Sequence, residues 1–98
     1  MFASILAFSS TVGCMFLPLK GIGNVAKDEG NYVGHYTGAS LDECKTHCHG
    51  KSSCRSFAYC PGNSCWLKDL ILSGNEPTKQ AYACTTYYTN CEGEEGEY

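Results

Sequence analysis

Residues 40–60 read SLDECKTHCHGKSSCRSFAYC and bring together Cys44, Cys48, Cys54 and Cys60, with His47, His49 and the acidic pair Asp42-Glu43 among them. Three chemistries compete for such a stretch: a metal site, a Cys/His nucleophile, or covalent staples. Zinc asks for four ligands, usually in two short pairs such as C-x2-C and H-x3-5-H. The spacing here, continued to Cys65, is C-x3-C-x5-C-x5-C-x4-C. His47 and His49 are two apart, so on a helix they diverge by about 200°. A nucleophilic cysteine needs a free thiolate beside a base. The chain carries 8 cysteines, an even number that leaves no spare thiol when all are paired. The stretch therefore reads as a disulfide framework.

The local signals agree with a helix held on a sheet. Ser40 followed by Glu43 is a capping box, and Asp42 and Glu43 suit the positive end of the helix dipole. The pattern predicts a helix over 41–49, stopped by Gly50. Leu41, Cys44 and Cys48 share one face of it, while Asp42, Lys45 and His49 point away. From Cys54 to Cys60 the residues alternate as in a strand. Cys54, Ser56, Ala58 and Cys60 lie on one side, and that small-residue side is suited to a closely laid helix. Arg55, Phe57 and Tyr59 lie on the other. Pro61-Gly62-Asn63-Ser64 is a turn, and Cys65-Trp66-Leu67-Lys68 begins the returning strand of a hairpin. Phe57 and Trp66 read as core. Residues 31–36 read as a short strand in an otherwise glycine-rich loop region, 73–78 as a loop, and the Tyr/Thr-rich residues 81–89 as a last strand.

Composition sets the outer bounds. The 98 residues suggest one domain, and a chain this small buries only about 60–65% of its unfolded surface. The 8 cysteines among them approach the density of a secreted disulfide scaffold, which forms in an oxidising compartment. The net charge of −3 is unevenly placed: Glu92, Glu94, Glu95 and Glu97 stand in the tail 92–98, and the rest is near neutral. The chain lacks the basic stripe that nucleic acid would require. The apolar N-terminal segment 1–13 has its apolar run at Phe2–Phe8 and mostly small residues from Ser9 to Gly13, which fits either a signal peptide or a strand added to the domain. Interrupting Ser9, Ser10, Thr11, Gly13 and Pro18 make the segment a poor membrane span. Gly21-Ile22-Gly23-Asn24-Val25-Ala26 matches a loose dinucleotide pattern but lacks the βαβ unit around it. Nothing in the sequence points to a catalytic group, a cofactor or a metal. The 7 tyrosines fill strands or form a binding surface. The candidate ligand surface is Tyr32, His35, Tyr36, Tyr87 and Tyr88.

The set Cys44-x3-Cys48, Cys54-x2-Phe57-x-Tyr59 and Cys65-Trp66-Leu67-Lys68, framed by Cys14 and Cys91, resembles a PAN/apple domain over residues 14–91. The resemblance implies an α+β, disulfide-rich fold in which an antiparallel sheet of about five strands cradles one short helix. It implies the bridges Cys44–Cys65, Cys48–Cys54 and Cys14–Cys91. Cys60 and Cys84 depart from the six-cysteine pattern and remain for each other, with Cys14–Cys84 and Cys60–Cys91 as the open alternative. The resemblance further implies a non-enzymatic, extracellular binding or adhesion module for protein or carbohydrate ligands. The competing expectation is a structural subunit of an extracellular fibre, coat or matrix, with neighbouring subunits as partners. If the framework is covalent, reducing it removes most of the stability of so small a core, since each bridge is worth roughly 2–4 kcal/mol. Thermal unfolding with and without reductant checks this, and an unchanged midpoint with the thiols shown to be reduced would remove the disulfide reading.

Overall fold

The computed structural model describes residues 15–80 and 83–89. The apolar segment 1–13, the acidic tail 92–98, and Cys14 and Cys91 with their expected bridge lie outside the described residues. Among the described residues seven strands and one helix follow in order: β1 (Phe16–Pro18), β2 (Asn24–Ala26), β3 (Tyr32–Thr37), α1 (Leu41–His49), β4 (Ser56–Cys60), β5 (Ser64–Lys68), β6 (Thr78–Gln80) and β7 (Thr85–Thr89). Five of the strands form one sheet in the order β1-β7-β4-β5-β3, and β2 and β6 form a separate two-stranded ribbon. Every pairing is antiparallel. The described chain is thus a small disulfide-rich α+β fold, with a mostly antiparallel sheet and one helix.

The helix begins where the capping box places it. Ser40 Oγ accepts from the Glu43 N–H at 3.1 Å, and the Ser40 N–H donates to Glu43 Oε1 at 2.8 Å. Gly50 closes it, its N–H donating to the Thr46 carbonyl at 3.0 Å. Cys44 and Cys48 are the buried residues of α1. The loop ahead of the helix is clamped to the hairpin turn: the Tyr59 hydroxyl donates to the Ala39 carbonyl at 2.8 Å, and the Ala39 N–H donates to the Asn63 carbonyl at 3.1 Å. In that turn Gly62 and Asn63 take φ of 83° and 60°, the left-handed region that glycine and asparagine tolerate best.

The helix covers the face opposite to the one the small side chains suggest. Phe57 pairs with Leu67 and Tyr59 with Cys65 across the β4–β5 hairpin, so these four point the same way. Phe57, Cys65 and Leu67 join Ala39, Cys44, Cys48, Cys54 and Tyr87 in the main core, with Phe16, Val33, Leu41 and Tyr59 packed around it. Phe57 is the centre of an aromatic row, 5.2 Å from Phe16 and 5.2 Å from Tyr87 between ring centroids. Large side chains are needed here because a helix stands well off a sheet, and Ser56 and Ala58 could not fill the gap.

The small-residue face instead meets the thinner β2–β6 ribbon and the segment 70–72. Leu19, Ala26 and Leu72 form a second core there, with Leu70 and Tyr88 against it. The ribbon hangs from threonine hydroxyls of β7. Thr86 Oγ1 accepts from the Ala26 N–H at 3.0 Å, and Thr85 Oγ1 accepts from the Gly23 N–H at 2.8 Å. The buried Ser56 hydroxyl donates to the Leu70 carbonyl at 2.8 Å. Small and hydroxyl-bearing side chains let a backbone approach the sheet closely while satisfying its polar groups. The loop leading away from Leu72 is stiffened by Glu76. Burial works to raise its carboxyl pKa, but hydrogen bonds from the Ser73 N–H, the Gly74 N–H and the Ser73 hydroxyl prevail and hold it at about 2.

Boundaries shift in four places. The expected strand from Cys54 begins only at Ser56, since Cys54 belongs to the bridge that ends the helix. Residues 18–36 contain β2 as well as β3, and the expected loop 73–78 ends in β6. The expected last strand 81–89 is β7 alone, 85–89, with residues 81 and 82 outside the described set.

Among the described residues three disulfides join Cys44 to Cys65, Cys48 to Cys54 and Cys60 to Cys84, with Cα atoms 5.8, 5.2 and 4.1 Å apart. The last of these removes the alternative Cys14–Cys84 with Cys60–Cys91. The capping geometry sets a direct test of the helix start. Ser40→Ala should destabilise the domain by about 0.5–2 kcal/mol, read as a lower denaturant midpoint at unchanged slope.

Candidate functional site

A bulge in β3 creates the site. Tyr32 pairs with Lys68 and Gly34 with Leu67, so Val33 is the extra residue. Residues three apart on a regular strand face opposite ways, but the bulge removes one alternation. Tyr32 and His35 consequently meet on the same side of the sheet, around Trp66 of β5. His35 stacks on Trp66 with centroids 3.5 Å apart and planes 14° from parallel; Tyr32 lies 5.3 Å from Trp66 at a tilt of 53°. The cluster is on the face away from the helix, beside the ribbon.

Lys68 lies under this cluster. The residue is only 2% exposed, and its Nζ stands 5.4 Å from the Tyr32 ring centroid. Burial pushes its pKa below the usual lysine range, and Glu29 opposes that by attraction. Glu29 does not contact it directly. Its Oε1 accepts from the Tyr32 hydroxyl at 2.9 Å, and its Oε2 is 3.2 Å from Lys79 Nζ. The hydrogen bonds from Tyr32 and Lys79 hold the Glu29 carboxyl below its ordinary range, and burial followed by the same contact with Glu29 raises the Tyr32 phenol. Val25, Glu29, Tyr32, Ala58, Trp66, Lys68 and the Cys60–Cys84 bridge line a pocket of about 130 Å³.

The five residues expected to form a ligand surface do not stay together. Tyr32 and His35 do, and both are exposed. Tyr36 points to the helix side, where it stacks on His47 with centroids 3.8 Å apart. Tyr87 is buried in the main core and Tyr88 packs against the second one. Trp66, expected in the core, is half-buried and sits at the centre of the cluster. Trp66 and Lys68 escaped notice as site residues, although one signal marks them. They alternate with Cys65 and Leu67, so a strand that turns Cys65 towards the helix must turn Trp66 and Lys68 away from it.

Among the described residues no cluster of His, Cys, Asp and Glu could hold a metal ion, and no helix is long and apolar enough to cross a membrane. Compared with models of protein families, with curated proteins and with solved structures, the chain matches none.

The buried charge predicts a pH dependence. The folded pKa of Lys68 lies below its unfolded value, so above the folded pKa the unfolded chain binds more protons and stability rises with pH. The rise spans the window from the lowered pKa to the ordinary lysine value near about 10.4. Tyr32 and Tyr87, both with raised phenol pKa values, oppose it at the alkaline end. Lys68→Met isolates the lysine part: its unfolding free energy should gain on the wild type at neutral pH, and the gain should shrink as pH approaches 10. A constant difference across that range would mean that the Lys68 pKa is the same in the folded and the unfolded protein.

Proposed function

We propose that this chain is an extracellular, non-enzymatic binding module of the PAN/apple kind, whose ligands are proteins or carbohydrates. The observation that carries the reading is the cluster of Tyr32, His35 and Trp66. Three rings are joined on the outer face of the sheet at its β3 side, while Phe16, Phe57, Tyr59, Tyr87 and Tyr88 serve the two cores. Aromatic side chains that stay at the surface are the usual anchors of a binding face. The framework supports the same reading. A helix lies on a five-stranded antiparallel sheet, fastened through Cys44–Cys65 and Cys48–Cys54. Several disulfides in so small a domain are typical of extracellular proteins.

A second reading, the structural subunit of an extracellular fibre, coat or matrix, is favoured by β3 itself. Among the described residues it ends the sheet, runs for six residues and is mostly exposed. Such an edge is open to an added strand from a neighbour.

Native mass and retention on immobilised glycans and cell-surface proteins separate the two. The binding module should run as a monomer and be retained, and the double variant Tyr32→Ala/His35→Ala should lose retention by about tenfold or more. Recovery only as a polymer, with the double variant assembling as well as the wild type, would favour the subunit and remove the aromatic face from the account.

A further inference from the structure

Two features of the pocket beside Trp66 are not accounted for by packing. The first is the ammonium of Lys68. Among the described residues it forms no hydrogen bond and no ion pair; its nearest compensation is the face of Tyr32. A buried charge normally has a direct partner, because leaving it without one is costly. The second is the state of Glu29. Its two oxygens are already taken by Tyr32 and Lys79, so the only carboxylate in the pocket wall is neutralised from outside. Glu29 and Asp28 act on Lys68 only through space, and no carboxylate of the pocket wall touches its ammonium.

We propose that this pocket receives the carboxylate of an acidic saccharide, with Lys68 as its charge partner and the rings of Trp66 and Tyr32 as walls for the sugar. The inference rests on the binding-module reading and names the ligand class of that same face. The chemistry matches on three counts. A carboxylate supplies the acceptor that the Lys68 ammonium lacks, in a charge-assisted contact of the stronger kind. The C–H face of a pyranose carries slight positive charge and suits the negative face of an aromatic ring. The space of about 130 Å³ is far below the roughly 300–1,000 Å³ that encloses a drug-sized ligand. It therefore takes one acidic group and part of its ring, leaving the remainder of a glycan to run over His35. The lowered pKa of Lys68 is consistent with an ammonium that no anion yet neutralises.

Trp66 is the single tryptophan of the chain and lines the pocket, so its fluorescence reports occupancy in the unmodified protein. The probes are methyl glucuronide, methyl sialoside, methyl glucoside, N-acetylglycine and inorganic sulfate. Methyl glucuronide or methyl sialoside should change the emission saturably, and whichever binds tighter identifies the source of the carboxylate. Methyl glucoside, which lacks the carboxylate, should bind about tenfold or more weakly. Lys68→Met, which keeps the aliphatic stem, should bring the acidic sugar down to the level of the glucoside, with a thermal midpoint no lower than wild type. Equal binding of glucoside and glucuronide would overturn the role of Lys68 while leaving the aromatic face as a sugar site. Equal binding of N-acetylglycine would make the site a reader of peptide ends, and equal binding of sulfate an adventitious anion site; either result overturns the saccharide. No response to any probe, with retention on glycan or protein surfaces intact, would overturn this inference alone.

Discussion

The Cys44–Cys65 bond fixes the first turn of α1 against β5, and most of the molecule follows from where it lands. Cys65 sits opposite Tyr59 in the β4–β5 hairpin. The helix must therefore cover the face that carries Phe57, Tyr59 and Leu67. Alternation then sends Ser56, Ala58, Trp66 and Lys68 to the other face. That face is left with small side chains near β7 and a large ring and a charge near β3. The β2–β6 ribbon settles over the small end, where the Ala26 N–H reaches Thr86 and the N–H of Gly23, just ahead of β2, reaches Thr85. The large end is left as the aromatic cluster. One covalent bond thus decides which side is the main core and which side carries the exposed rings.

A second constraint is size. A domain of this length cannot fill two full cores with large apolar residues. The main core takes the aromatic row Phe16–Phe57–Tyr87, and the second is built from Leu19, Ala26 and Leu72 with backbone groups satisfied by hydroxyls. The polar Thr86 and Ser56 are fully buried because they act as acceptor and donor for a neighbouring backbone.

Much of this was legible in the sequence wherever the signal was local. The capping box of Ser40 and Glu43 marked the start of the helix, and Pro61-Gly62-Asn63 marked the hairpin. Elements fixed from a distance were not legible. Strands of three residues, such as Asn24–Ala26 and Thr78–Gln80, are too short to show a period, and this pair exists because β7 holds one side of it. The choice of face on β4 misled for a related reason. Small residues invite any close neighbour, and the sequence does not say whether that neighbour is a helix or a ribbon. At the candidate site, Tyr32 and His35 were recognisable as surface rings but not as a pair, because the bulge at Val33 leaves no residue signature. Lys68 was invisible as a buried residue, since a charged side chain in a hairpin reads as solvent-facing.

The arrangement of the sulfur bonds also governs what a protease can do to this molecule. The Cys44–Cys65 and Cys60–Cys84 spans overlap, so together they enclose every peptide bond from Cys44 to Cys84. The segment around Ile71, itself 67% exposed, is an accessible place to cut, and it lies inside that enclosure. A nick there opens the backbone without releasing a fragment, and the hairpin, the helix and β7 stay tethered. Cleavage near Asp28 falls outside both spans and has no such protection from them. Damage to the exposed loops would therefore be tolerated over the region that carries Trp66 and Lys68.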